Sequence, residues 1–140
     1  MNPPSPFPMP QYVIDRVMKK RGRRRVFDRF EPSESALVVI DMQDFYVRDV
    51  PSAVAIVPGI NRLARAFREC GGYVAWVKMV AGEDGRSLWP IYHQYFFTPE
   101  NAARHRDNLT KGHPGQKLHP DLEALPGDIH AEHQHLLRRA

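Results

Sequence analysis

The run Ala36-Leu37-Val38-Val39-Ile40-Asp41-Met42-Gln43-Asp44-Phe45-Tyr46 constrains this chain more than any other stretch. Five consecutive apolar residues end in an acid, and an amide follows two positions later. An unbroken apolar run of this kind reads as a strand buried on both faces, the pattern of a parallel sheet covered by helices. Asp41 then stands at the carboxyl end of that strand, where ligands and catalytic groups collect in open α/β sheets. A carboxylate is thus delivered to an active-site position by a segment that otherwise tolerates no charge.

The rest of the chain supplies the partners of that strand. Val57 to Cys70 reads as the clearest helix, with Pro58 in its first turn and an apolar stripe of Ile60, Leu63, Ala64 and Phe67. Gly71-Gly72 supplies its stop. Tyr73 to Val80 reads as a second strand, so strand, helix and parallel strand form a right-handed crossover unit. Ala81 to Gly127 has little periodicity and reads as loop. Trp89, Tyr92, Tyr95, Phe96 and Phe97 cluster within it, and the simplest place for them is core beneath a long loop. Pro126-Gly127-Asp128 is a turn before an expected third strand. The residues after it, Ile129 to Arg139, carry three histidines, a glutamate and two arginines and read as a polar tail, not a sheet strand. No internal repeat and no glycine-rich phosphate loop is present.

Residues 1–30 form an extension before a single domain at 31–140. Five prolines in residues 1–10 predict a disordered or extended segment, and Val13, Ile14, Val17 and Met18 predict a short amphipathic helix over Tyr12 to Lys20. The net charge of +4 is concentrated here: residues 1–30 hold eight Lys or Arg against two acids. The basic arm Lys19-Lys20-Arg21-Gly22-Arg23-Arg24-Arg25 could hold nucleic acid or an acidic partner. The reading preferred from the sequence is a solvated linker, since no aromatic platform or recognised nucleic-acid fold accompanies the charges. Nucleic acid is therefore disfavoured as a partner. One cysteine excludes a disulfide framework within the chain. No apolar stretch approaches a membrane span and the first ten residues lack a signal-peptide pattern, so a cytoplasmic protein without a membrane partner is expected.

Several ordered motifs resemble the isochorismatase-like hydrolases, a superfamily of isochorismatases, nicotinamidases and N-carbamoyl or ureido amidohydrolases. They are Asp41-Met42-Gln43, Val57-Pro58-Gly59-Ile60-Asn61-Arg62-Leu63, Cys70-Gly71-Gly72-Tyr73-Val74-Ala75-Trp76-Val77, Leu118-His119-Pro120-Asp121-Leu122 and Pro126-Gly127-Asp128. The resemblance implies a Rossmann-like three-layer αβα fold with a parallel sheet and hydrolysis of a small amide, ureido or ether substrate. In such enzymes a Cys thiolate attacks the carbonyl, an Asp takes its proton, and a Lys holds the Asp charged. Asp41 matches the Asp, and Gln43 matches an amide that supports the residues around it. Phe45 and Tyr46 stand where the family carries an aromatic. Phe45, Trp89 and Tyr92 are candidates for the pocket lining, although packing is the simpler role for Phe45. The Lys position is held by His133, a weaker and pH-dependent cation. No nucleophilic Cys is found, because Cys70 ends the first helix and reads as a small buried hydrophobe. Some relatives cleave a vinyl ether with the Asp as acid and no Cys.

No cofactor is expected. The histidines at 130, 133 and 135 with Glu132 do not match a metal motif, and Met79 to Asp84 lacks the metal motif of nicotinamidases, so no metal is expected either. The polar character after Asp128 leads to an expected truncation after the second or third strand, with a frameshift near Glu132 as one origin. Activity at this length is expected to be weak or absent. The alternatives are a fragment completed by another chain or by a second copy, and a non-catalytic module that binds through its basic arm.

Overall fold

The computed structural model describes residues 8–27, 29–81 and 90–133. The chain divides into two compact units, Met1–Glu31 and Pro32–Ala140. In the first, helix α1 (Gln11–Arg21) begins after Pro10 and stops at Gly22, whose left-handed backbone (φ 68°) lets its amide bond the Met18 carbonyl at 2.8 Å. Val13, Ile14 and Val17 are half-buried, and the other residues of α1 are exposed.

The second unit is built on three parallel strands in the order β1 (Ala36–Ile40), β2 (Tyr73–Met79), β3 (Ile129–His133). The register runs from Ala36↔Tyr73 to Ile40↔Val77 and from Ala75↔Ile129 to Met79↔His133. Between β1 and β2 lie a short helix α2 (Asp44–Val47) and the long helix α3 (Pro51–Glu69). The architecture is α/β with a parallel sheet.

Helix α3 starts earlier than its sequence suggests. Pro51, not Pro58, occupies the first turn, and Pro58 lies inside the helix. Its missing N–H removes one bond to the preceding turn, an interior cost that only tertiary packing offsets. That packing comes from Val57, Asn61 and Ala64, all buried, with Ile60 and Phe67 alongside. Leu63, expected on this stripe, is 52% exposed. The true stripe repeats at three and four residues through Asn61, and Leu63 falls outside it. The face of α3 packs on Val39, Val74, Trp76 and Leu122, where Trp76 is fully buried. The helix closes at Gly71 (φ 76°). At Gly72 an added Cβ would sit 2.6 Å from the Pro32 carbonyl oxygen, so the turn into β2 requires glycine.

The expectation that β1 is buried on both faces is not met. Side chains alternate across a strand, and the α3 side takes Leu37 and Val39. On the other face Val38 is 52% exposed, Ile40 59%, Tyr73 59% and Ile129 50%. The apolar run thus fits a two-sided sheet, but the described residues cover one side.

Two further expectations are corrected. Ile129–His133 does form a strand, because parallel pairing uses backbone groups and this edge position leaves polar side chains in water. The stretch after Ala81 is also not all loop: it holds α4 (Pro90–Tyr95) and α5 (Pro99–Leu109). Thr98 caps α5 by accepting the Asn101 amide at 3.3 Å, Pro99 sits in its first turn, and Ala102, His105 and Leu109 form its buried face. Among the described residues no helix is long and apolar enough to cross a membrane.

Candidate active site

Asp41 follows β1 directly, and its amide bonds the Val77 carbonyl at 2.9 Å, extending the ladder by one residue. Its backbone then turns into the left-handed region (φ 55°), the one non-glycine residue to do so among those described. Asp is among the few side chains that tolerate this conformation, and such strain gathers at functional sites. The turn carries the carboxylate toward the end of β3. There His133 Nε2 donates to Asp41 Oδ1 at 3.1 Å, with the two side chains 34% and 37% exposed. The sheet therefore joins two residues 92 positions apart: β2 lies between them, and the register Met79↔His133 brings the end of β3 level with the end of β1.

Gln43 is fully buried and holds this corner together. Its Nε2 donates to the carbonyls of Met79 (2.9 Å) and Gln116 (2.8 Å), and its Oε1 accepts the Met79 amide at 2.7 Å. Both amide protons and the carbonyl oxygen are engaged by backbone, so the side chain acts on the site through its frame. The segment Lys117–His119 closes the other side. The His119 amide bonds the Met42 carbonyl at 3.0 Å, and the Asp44 amide bonds the Lys117 carbonyl at 2.8 Å. Leu118 forms an antiparallel bridge with Gln43.

Behind this corner lies a second cluster of Met79, Ala81 and Leu109 with Phe45 and Tyr46 against it. The Tyr46 hydroxyl bonds Met79 Sδ at 3.3 Å and His105 Nε2 at 2.8 Å, and His105 Nδ1 meets His93 Nε2 at 3.0 Å. The Phe45 ring lies 5.8 Å from that of His105, with the Arg104 guanidinium 5.7 Å above it. His93 and His105, both buried, were not singled out from the sequence. The available signal was the spacing Ala102, His105, Leu109 on α5. Of the other aromatic candidates, Trp89 and the Tyr92 side chain lie outside the described residues. Tyr95 and Phe96 are 73% and 72% exposed, against the expectation of core: they stand at and just past the end of α4, whose buried residue is His93.

Cys70 does not join the site. It is exposed, not buried, since it ends α3 in a surface turn. It precedes β2, whose first residue pairs with the first residue of β1, so it lies at the opposite end of the sheet from Asp41. Asp128 is at that opposite end too. It accepts from Arg68 Nε (2.9 Å) and Nη2 (2.6 Å), Trp76 Nε1 (2.7 Å) and the Leu125 amide (2.8 Å). These donors, the Arg68 bonds first, hold its carboxyl far below the usual carboxylate range. Among the described residues no group of three or more His, Cys, Asp or Glu is arranged to hold a metal ion.

Comparison with known proteins gives the family. The family model for the isochorismatase domain matches residues 35–136, which takes in Asp41, Gln43 and His133. The ureidoacrylate amidohydrolase RutB of Cronobacter sakazakii is 30% identical over 71% of this chain and 50% of its own length. The RutB of Cronobacter turicensis is 29% identical over the same shares. The crystal structure of a cysteine hydrolase from Pseudomonas syringae pv. phaseolicola superposes with a TM-score of 0.58 at 20% identity, covering 75% of this chain and 49% of that one, a likeness of fold. The chain spans about half the length of the curated relatives it matches. With a parallel sheet, an acid at the end of its first strand and a family-model match over most of its length, this chain belongs to the isochorismatase family of hydrolases.

Proposed function

We propose that the chain carries the proton-transfer corner of a hydrolase acting on the C–N bond of a small amide or ureido substrate. The observation that carries this reading is the Asp41–His133 pair, formed across the sheet at the carboxyl ends of its strands. The resemblance to the two ureidoacrylate amidohydrolases supports the substrate class. Asp41 is the proton acceptor and, in the return step, the donor to the leaving nitrogen. His133 stands in the place of the family's Lys and supports the Asp41 carboxylate when it is an imidazolium. Gln43 positions both through the backbone of Met79. Cys70, on the far end, does not supply the thiolate. The chain by itself is accordingly a weak catalyst in this reading.

The sheet face of Val38, Ile40, Tyr73 and Ile129, exposed among the described residues, supports an extension of it: a further α/β layer, from another chain or a second copy, docks there and completes the site. The test is an assay of ureidoacrylate and simple carbamoyl amides with the chain and its Asp41→Asn variant. Slow turnover that the variant loses is the expected result. Turnover equal in both proteins would remove Asp41 from the chemistry.

A further inference from the structure

The first unit carries none of the residues named in the site above, and its surface points to a different partner. Lys19, Lys20, Arg21, Arg23, Arg24 and Arg25 place six cations in seven residues, and all six side chains are exposed. The first three have a structural use, since they sit in the last turn of α1 and complement the helix dipole. The three arginines after Gly22 lie beyond the helix and have none. Among the described residues, no carboxylate pairs with any of the six. Aromatic rings flank this run on both sides. Tyr12 is 74% exposed, Phe27 79% and Phe30 65%. An exposed ring two residues from a triplet of arginines costs solubility without adding to a core, and it offers a face on which a planar group can stack.

We propose that the segment from Lys19 to Phe27 binds single-stranded nucleic acid, the cations following the phosphates and Phe27 stacking on an unpaired base. Single-strand recognition combines these two features, a basic track and an aromatic face. The exposure of Phe27 supplies the aromatic element whose absence made this partner disfavoured on sequence grounds. A duplex hides the faces of its bases, so it meets the charges but not the ring. An anionic bilayer would engage a helix through its apolar stripe. Here Val13, Ile14 and Val17 are half-buried, and the most exposed large apolar residues of the unit are the rings of Phe27, Tyr12 and Phe30.

The test uses the full chain and a fluorescently labelled oligo(dT), followed by anisotropy over a salt series. Six phosphate contacts predict a slope of log affinity against log salt of about −4, and replacing Arg23, Arg24 and Arg25 by Ser predicts a slope smaller by about 2. Phe27→Ala is expected to weaken binding by on the order of tenfold with the slope unchanged, and Phe27→Trp to retain it. Phe27 is almost wholly in solvent, so these variants leave the fold intact, which circular dichroism checks directly. The proposal is overturned by any of four results: no salt-dependent binding, an affinity unchanged in Phe27→Ala, equal affinity for a duplex of the same length, or tighter binding to phosphatidylserine vesicles than to the oligonucleotide at equal salt. Hydrolase activity does not enter the readout, so failure of the active-site reading leaves this test unaffected.

Discussion

Two carboxylates stand at opposite ends of the same small sheet, each facing a basic side chain from another element, and they have opposite characters. Asp128 has a side chain 5% exposed and accepts from the Arg68 guanidinium, the Trp76 indole and the Leu125 amide. Asp41 is 37% exposed, and among the described residues its carboxylate takes one side-chain bond, from His133. Donors that saturate a carboxylate stabilise its charge so well that it no longer exchanges protons near neutrality. A carboxylate with one partner and open access keeps lone pairs for another molecule. The first arrangement fastens α3, β2 and the turn before β3. The second leaves an accessible carboxylate on a frame that Gln43 and the Lys117–His119 segment hold together. The lesson is that ion pairing alone does not mark a structural acid: the number of donors and the backbone beneath it decide.

This contrast can be broken by experiment, and the largest effect concerns the reactive end. Asp41→Asn should lower turnover of any accepted amide by on the order of a thousandfold, within the range for a positioned proton-transfer group. It should leave the thermal midpoint almost unchanged, and a large loss of stability would make Asp41 structural like its counterpart. At the other end, Asp128→Asn should cost about 3 kcal/mol of folding stability in urea titrations, the range for breaking a largely buried ion pair. Because the folded Asp128 carboxyl lies below its unfolded value, its contribution is present above the ordinary carboxylate range of about pH 4 and fades as pH falls below it. The stability difference between wild type and Asp128→Asn should therefore shrink in acid, and a difference independent of pH would remove the ion pair as its cause.

A smaller effect sharpens the reactive end. His133→Lys places a permanent cation beside Asp41, so turnover should rise by about tenfold. Equal turnover in the two proteins would show that a cation at this position does not support Asp41. The smallest effect concerns the sheet face of Val38 and Ile40, exposed among the described residues. Val38→Thr with Ile40→Thr should change stability by about 0.5 kcal/mol or less, as for exposed positions. Wild type is expected to associate with increasing concentration in sedimentation, and the double variant to associate less. Unchanged association would direct attention away from this face.

Much of this organisation was legible in the chain itself. Ala36–Ile40 announces a strand because five apolar residues in a row have few other uses, and Asp41 follows from where that strand ends. The crossover to Tyr73 is equally local, since α3 has a periodic apolar face and a glycine stop. The features misjudged are those in which packing overrides local preference. Pro58 lies inside a helix that its neighbours hold in place, and Ile129–His133 pairs as a strand despite polar side chains. Helix α5 went unnoticed because its buried face includes a histidine in place of an aliphatic residue.

Sequence by itself determined the crossover from β1 through α3 to β2, the acid at the strand end and the concentration of positive charge before residue 30, because these depend on neighbours along the chain. Only the tertiary structure decided that Asp41 meets His133, that Gln43 is spent on backbone, that Cys70 stands at the wrong end, and that Phe27 faces water. Each depends on sheet register or on burial, which are set by residues tens of positions away and leave no mark in the local pattern.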